Sequence, residues 1–165
     1  MGKYKYEITK IYRFEAGHRV WTQNLAQGRG ASLSGNACPP ENKCRHLHGH
    51  SYVVEITLGS DTLDNDMVMD FYHLKSAVKE LIDYKLDHSF IIDKNDPLYP
   101  SLKEMAKEFG LKLFEVDFVP TAERLAEFIY RYLKEKLQKA GVKDVEVVEV
   151  VIWETATSKA SYKEE

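Results

Sequence analysis

The sequence is poor in cysteine and has no long apolar run. Two cysteines among 165 residues cannot build a disulfide framework, and this low number favours a reducing compartment. No apolar stretch reaches the length that a membrane-spanning helix requires. The opening MGKYKYEITK lacks the apolar core of a signal peptide. We therefore expect a cytoplasmic protein.

The sequence also lacks a strong charge imbalance, internal repeats and low-complexity tracts. Its net charge of −3 argues against a nucleic-acid-binding protein, whose surface is typically basic. A hydrophobic content of 44% and a charged content of 30% are typical of a globular chain with an apolar core. At this length we expect one domain over residues 1–165.

Histidine is concentrated in one short stretch, CRHLHGH, which runs from Cys44 to His50. It leads into an alternating segment that predicts a β-strand. Because residues i and i+2 of a strand share a face, His48 and His50 point the same way. The same face continues with apolar or aromatic residues, namely Tyr52, Val54, Ile56 and Leu58. Two imidazoles at the start of an apolar row suit metal ligands on a rigid strand.

A third histidine ends an earlier strand. His18 extends an alternating row formed by Tyr4, Tyr6, Ile8, Tyr12, Phe14 and Ala16. If the two strands pair antiparallel, the end of the first lies beside the start of the second, and His18 comes close to His48 and His50. Three neutral imidazoles suit zinc, and three protein ligands leave the fourth position open, as in catalytic sites.

Other interpretations of these residues remain open. A histidine on an apolar face is often an ordinary, hydrogen-bonded histidine. With Cys44 as a fourth ligand, the zinc site would be closed and purely structural. A cysteine acyl-transfer enzyme would instead pair Cys44 with His88 and work without metal.

The remaining periodicities predict an α+β domain, with an antiparallel sheet and helices on one face. Asp70 and Thr121 suit the N-cap positions of two amphipathic helices. The predicted order is a strand at about 4–18, a loop at about 20–43, a strand at about 48–58, a helix at about 70–84, a connector at about 93–119, a helix at about 121–141 and a strand at about 144–154.

Three acidic or basic side chains outside the histidine stretch have a possible role in chemistry. Asp87 and His88 follow the first helix, and an aspartate can orient a histidine for proton transfer. A surface pair is the more common explanation of this dipeptide. Glu154 extends an apolar strand face, so it either lies at an open end of the strand or holds an N–H-rich ligand.

Six motifs together resemble one family of enzymes. They are FEAGH at 14–18, CRHLHGHSY at 44–52, MVMDF at 67–71, LDH at 86–88, PTAE at 120–123 and WET at 153–155. In this order, they resemble the 6-pyruvoyltetrahydropterin and 6-carboxytetrahydropterin synthase family. The resemblance implies the tunnelling fold, a four-stranded antiparallel sheet with two helices on one face. Three subunits would close into a barrel, and two trimers would stack as a homohexamer, which hides the sheet edges.

The resemblance also implies roles for the site residues. Zinc would bind His18, His48 and His50. A proton-transfer group would consist of Cys44, Asp87 and His88, with the last two from a neighbouring subunit. Glu154 would anchor the pterin, and the PTAE motif would add Thr121 and Glu123 as substrate-binding residues.

The spacing of the cysteine motif favours one branch of the family. Cys44 precedes His48 by four residues, as in 6-carboxytetrahydropterin synthases, whereas animal-type pyruvoyl enzymes have a longer gap. The implied reaction converts 7,8-dihydroneopterin triphosphate to 6-carboxytetrahydropterin, acetaldehyde and triphosphate, toward 7-deazaguanine nucleosides of the queuosine and archaeosine type. The 20–43 loop and the 93–119 connector are longer than in short members of the family. Cys38 is an extra thiol, interpreted as a structural or incidental loop residue.

Overall fold

A computed structural model describes residues 2–34 and 41–165 of the chain. Cys38 lies outside the described residues. The strands are β1 (Tyr6–His18), β2 (His48–Ser60), β3 (Ser89–Asp93), β4 (Leu113–Val116), β5 (Glu146–Thr155) and β6 (Ser158–Tyr162). The α-helices are α1 (Ala31–Ser34), α2 (Phe71–Lys79), α3 (Tyr99–Phe109) and α4 (Ala122–Lys139). A 3₁₀ turn covers Lys43–Arg45, and a π-helical segment, Glu80–Leu86, continues α2.

The strands form one six-stranded sheet in the order β4-β3-β1-β2-β5-β6. The mixed α+β class is as predicted, but the count of four strands was wrong. Strands β1, β2, β5 and β6 do form an antiparallel set. Strands β3 and β4 extend it through parallel pairings, β3 with β1 and β4 with β3. Both are short and enter the sheet by helical crossovers, which parallel pairing requires.

The long pair β1–β2 is antiparallel without interruption. Its register runs from Tyr6 opposite Ser60 to His18 opposite His48. The even-numbered side chains of both strands lie on the face that the helices cover, and they are mostly buried there. The predicted pairing of the two histidine-bearing strand ends is therefore confirmed.

Helices α2 and α4 cover this face and form the core with it. Asp70 caps α2 by accepting a hydrogen bond from the backbone N–H of Tyr72, and Thr121 caps α4 by accepting one from Arg124. Both predicted N-caps are confirmed. The core side chains that are fully buried include Phe14, Tyr52, Ile56, Leu58, Leu74, Leu81, Ile82, Leu86, Leu125 and Ile129.

The two long connections contain structure of their own. The predicted 93–119 connector holds α3 and β4, and the described part of the 20–43 loop includes the short helix α1. Strand β6 follows β5 after a tight turn and forms one edge of the sheet, while β4 forms the other. In the described ranges, no helix combines the length and the apolar character needed to cross a membrane.

Leu133 provides a test of the core. It is fully buried on α4, whereas Leu111 is 45% exposed. We expect Leu133→Ala to lower the free energy of unfolding by about 2 to 5 kcal/mol, because the lost methyl groups leave a cavity. Leu111→Ala, the same chemical change at the surface, should stay within about 0.5 kcal/mol of the parent. Urea denaturation measures both, and equal losses would contradict the assigned packing.

Candidate active site

The three predicted histidine ligands meet at one end of the β1–β2 pair. His18 lies opposite His48 in the strand register, and His50 follows on the same face. One ring nitrogen from each of the three imidazoles lies within 4.8 Å of the others. His18 is only 1% exposed. The structure therefore brings together the metal-binding group that the spacing predicts.

Two backbone carbonyls orient the imidazoles. His18 Nδ1 lies 2.7 Å from the carbonyl oxygen of Pro120, and His48 Nδ1 lies 2.7 Å from that of His46. A carbonyl only accepts, so each Nδ1 carries the proton and each Nε2 keeps a free lone pair. The Nε2 atoms of His18 and His50 are buried and have no hydrogen-bond partner among the residues that the structure describes. Unpartnered, buried and convergent nitrogens are what metal coordination needs, and the carbonyls supply the usual outer support.

The site favours neutral imidazoles. Burial is the main cause that lowers the pKa of His18 to about 4; the hydrogen bond with Pro120 opposes this change, and the nearby His48 and His50 add to it. Burial also lowers the pKa of His50, with His48 as a second cause. Neutral imidazole is the form that binds a metal ion, so the group suits a cation at neutral pH.

The structure places Glu154 beside this group. Its Oε2 lies 3.7 Å from His50 Nε2, which is too long for a hydrogen bond. Burial raises the pKa of Glu154, and the negative charge of Glu123 raises it further. The backbone N–H of Ala122 acts in the opposite direction. Glu154 and the PTAE segment are thus neighbours, although the Thr121 hydroxyl is engaged in capping α4.

Cys44 lies on the 3₁₀ turn before β2 and is half-buried. Among the described residues, the metal-binding group contains three imidazoles and no cysteine sulfur. The closed structural site with Cys44 as fourth ligand therefore has no support in the geometry. Cys44 also makes no hydrogen bond with His88 within the described part of the chain, as a cysteine acyl-transfer pair would require.

Asp87 and His88 lie toward the other face of the sheet. Asp87 Oδ1 accepts a hydrogen bond from the backbone N–H of Glu15, and Asp87 Oδ2 lies 2.8 Å from His88 Nδ1. The hydrogen bond from Glu15 is the main cause that lowers the pKa of Asp87, and His88 adds to it. His88 lines a shallow cleft with Glu15 and Ser51, whose side chains alternate away from the histidine group, and with Ala16 and His50. A single chain thus holds Asp87 and His88 together, outside the group of three imidazoles.

The family model for 6-pyruvoyl tetrahydropterin synthase matches residues 7–165. This chain belongs to that family. A relative from Aquifex aeolicus, named 6-carboxy-5,6,7,8-tetrahydropterin synthase, is 62% identical over 98% of this chain and 99% of its own length. A relative of the same name from Haemophilus influenzae is 34% identical over 75% of this chain and 86% of its own. The resemblance inferred from the six motifs is confirmed.

Solved structures agree on the fold of this synthase-family chain. An uncharacterized protein from Wolinella succinogenes has 34% sequence identity and a TM-score of 0.81, covering 97% of this chain and 98% of its own. The 6-pyruvoyl tetrahydropterin synthase of Caenorhabditis elegans has 22% identity and a TM-score of 0.58, covering 97% and 96% of the two chains. At that identity the second likeness supports the fold alone.

Some site contacts of this family member have no clear signal in the sequence. The carbonyls of Pro120 and His46 orient ligands through the backbone, which any residue type could supply. Tyr52 is different, because it lies on the same face of β2 as His48 and His50, and the alternation of the sequence indicates this position next to the ligands. Its buried hydroxyl has no hydrogen-bond partner within residues 2–34 and 41–165, and its ring lies edge-on to that of His50 with centroids 5.4 Å apart.

His88 has an unusual backbone conformation. Its φ is +61°, in the left-handed region that non-glycine residues seldom adopt. The π-helical segment directly before Asp87 is a second departure from regular structure, of a kind often found at functional sites. The backbone N–H of His88 donates to the Glu15 carbonyl at 2.6 Å, which helps to hold this conformation.

The backbone strain at His88 can be measured with two substitutions. His88→Ala and His88→Gly both remove the imidazole and its contact with Asp87. We expect the glycine variant to be more stable than the alanine variant by about 1 kcal/mol, because glycine adopts positive φ without steric cost. Urea denaturation of the two variants gives the difference. Equal stability would mean that the left-handed conformation costs nothing here.

Proposed function

We propose that this chain is a zinc-dependent 6-carboxy-5,6,7,8-tetrahydropterin synthase. It would convert 7,8-dihydroneopterin triphosphate to 6-carboxytetrahydropterin, acetaldehyde and triphosphate, toward 7-deazaguanine nucleosides of the queuosine and archaeosine type. The observation that carries the proposal is the 62% identity to a relative of that name over nearly the full length of both chains. We propose that residues 1–165 act as one cytoplasmic domain of this kind.

Zinc is proposed as the metal because of the donor set. Three neutral imidazoles are typical zinc ligands, and three ligands leave a position for substrate. The unpartnered Nε2 atoms of His18 and His50 support this assignment, since a bound ion would give each of them a partner. When bound, zinc would act as a Lewis acid toward the hydroxyl groups of the substrate side chain.

The pterin ring is assigned to Glu154. A pterin presents adjacent ring and exocyclic N–H groups, and one carboxylate can accept hydrogen bonds from both. Glu154 lies beside the histidine group, so a ring anchored there would place its side chain near the metal position. Thr121 and Glu123 are proposed as further substrate-binding residues, because the PTAE segment borders Glu154.

Proton transfer is assigned to Cys44, Asp87 and His88. A thiol near a metal ion or a protonated imidazole loses its proton more easily and can pass it on. Asp87 is well placed to orient the His88 ring and stabilise its charged form. Asp87 and His88 of one chain lie outside its own histidine group, which supports sites shared between subunits.

Shared sites require an assembly, and we propose the homohexamer of two stacked trimers. The open edges β4 and β6 would be covered when subunits join into a barrel. Each site would then combine the ligands, Cys44 and Glu154 of one subunit with Asp87 and His88 of the next.

The metal assignment is tested by zinc analysis of purified protein. We expect about one zinc per chain, and His48→Ala should lose the metal because only two imidazoles remain. His46→Ala is the matched control, since the His46 ring lies outside the metal-binding group and its carbonyl is unchanged. Full zinc occupancy in His48→Ala would contradict the ligand assignment.

The reaction is tested by incubation with 7,8-dihydroneopterin triphosphate and identification of the products by mass. We expect 6-carboxytetrahydropterin and acetaldehyde. Cys44→Ala should keep its zinc but lose turnover by about 10²- to 10⁴-fold, the usual contribution of a positioned acid or base. A 6-pyruvoyl product would instead favour the pyruvoyl synthase reaction, and a different cleavage product would favour a related side-chain lyase.

Shared sites are tested by co-expression of two inactive variants. In hexamers that contain both Cys44→Ala and His88→Ala chains, random assortment should restore roughly a quarter of the sites. The control combines Cys44→Ala with His48→Ala, which damage the same half of each site and should restore nothing. If the first pair recovers no more activity than the control, the shared-site arrangement is wrong.

A further inference from the structure

Two buried carboxylates, one on the last residue of β3 and one on the turn that follows it, lie outside the site described above. Asp93 is 3% exposed and Asp96 is 2% exposed. Asp96 accepts two hydrogen bonds from the Arg19 guanidinium, at 2.6 Å from Nε and 2.5 Å from Nη2. Asp93 accepts one from the indole N–H of Trp21 at 2.9 Å. The turn therefore binds two side chains from the segment that directly follows His18.

This bound segment, residues 19–23, contacts the 3₁₀ turn that carries Cys44. The backbone N–H of Val20 donates to the carbonyl of Cys44 at 2.7 Å. The side-chain oxygen of Gln23 accepts from the backbone N–H of Cys44 at 2.8 Å. Arg19 Nη1 also donates to the carbonyl of Arg45 at 3.2 Å. Both backbone polar groups of Cys44 are thus held by a segment that the two carboxylates anchor.

We infer that Asp96, with Asp93, is a positioning residue that acts through Cys44. The turn at 93–96 holds residues 19–23, and these residues fix the backbone of Cys44 at the end of the histidine site. This inference rests on the proposed role of Cys44 in proton transfer. It gives the long 93–119 connector a role in the reaction although no residue of its 93–96 turn belongs to the metal-binding group.

The geometry favours positioning over general stabilisation. A buried ion pair adds little net stability, because desolvation of the charges offsets their attraction, whereas a bidentate pair fixes direction and distance well. Cys44 lies on a turn of only three residues, which has little rigidity of its own. An external anchor is therefore what keeps its sulfur in place, and small displacements of a reacting group are costly to turnover.

Alkylation of Cys44 by iodoacetamide tests the anchor without any substrate. Cys38→Ser leaves Cys44 as the single thiol and provides the reference protein. In that background, Asp96→Asn and Gln23→Ala should each raise the alkylation rate by about tenfold, because the turn opens more often once its anchor is weakened. Gln23→Ala leaves the Arg19–Asp96 pair intact and tests the direct contact with Cys44. Trp21→Phe removes only the hydrogen bond to Asp93 and should also raise the rate, so it tests the carboxylate anchor even if Asp96→Asn fails to fold. Leu133→Ala is the control for general destabilisation and should raise the rate much less.

Turnover provides the second measurement. Asp96→Asn and Gln23→Ala should keep their zinc and lower kcat by about 10- to 100-fold, as removal of supporting contacts typically does. KM should change little, since Glu154 is untouched. In the Cys44→Ala background the same substitutions should cause no further loss, because residues that act through one group are not additive.

Two outcomes would overturn the inference. One is an alkylation rate in Asp96→Asn and Trp21→Phe that is equal to the reference or matched by Leu133→Ala. The other is a full additional loss of kcat in the Cys44→Ala background, which would indicate a role independent of Cys44. If the parent protein does not convert the pterin triphosphate, the proposed function fails, while the alkylation rates still decide whether the 93–96 turn positions Cys44.

Discussion

The antiparallel register of β1 and β2 is the constraint on which the rest of the site depends. It sets His18 opposite His48 and places His50 on the same face. A slip by one residue would move every side chain of a strand to the other face and scatter the three imidazoles. The fully buried row of Tyr52, Val54, Ile56 and Leu58 opposes such a slip, because these side chains would leave the core. The apolar core and the metal-binding group are thus parts of one alternating pattern.

Around this pair, the site is completed by backbone from distant parts of the chain. The carbonyl before α4 holds His18, and the carbonyl two residues before β2 holds His48. The entry to α4 also brings the PTAE segment beside Glu154 at the end of β5. The capping of α4 by Thr121 therefore bears on the site as well as on helix stability, since it fixes where Pro120 and Ala122 lie.

The candidate site residues of one chain form two groups. One group consists of the three histidines and Glu154, and the other lines the cleft with Glu15, Ser51 and His88, which His50 also borders. The contacts of Arg19 with Asp96 and of Trp21 with Asp93 join the segment after β1 to the start of the 93–119 connector. This junction lies next to Cys44, because Val20 of the same segment donates a hydrogen bond to the Cys44 carbonyl.

The sequence by itself determined the long strands, the capped helices, the histidine group and the family. A period of two over many residues specifies a strand and its inner face, and Asp70 and Thr121 are recognisable caps. Only the tertiary structure decided that β3 and β6 join the sheet, because strands of five residues are too short to show a clear period. It alone also decided which carbonyls orient the ligands, that Asp87 and His88 lie toward the opposite face, and that Asp96 binds Arg19. These depend on contacts between residues far apart in the chain, which no local pattern records.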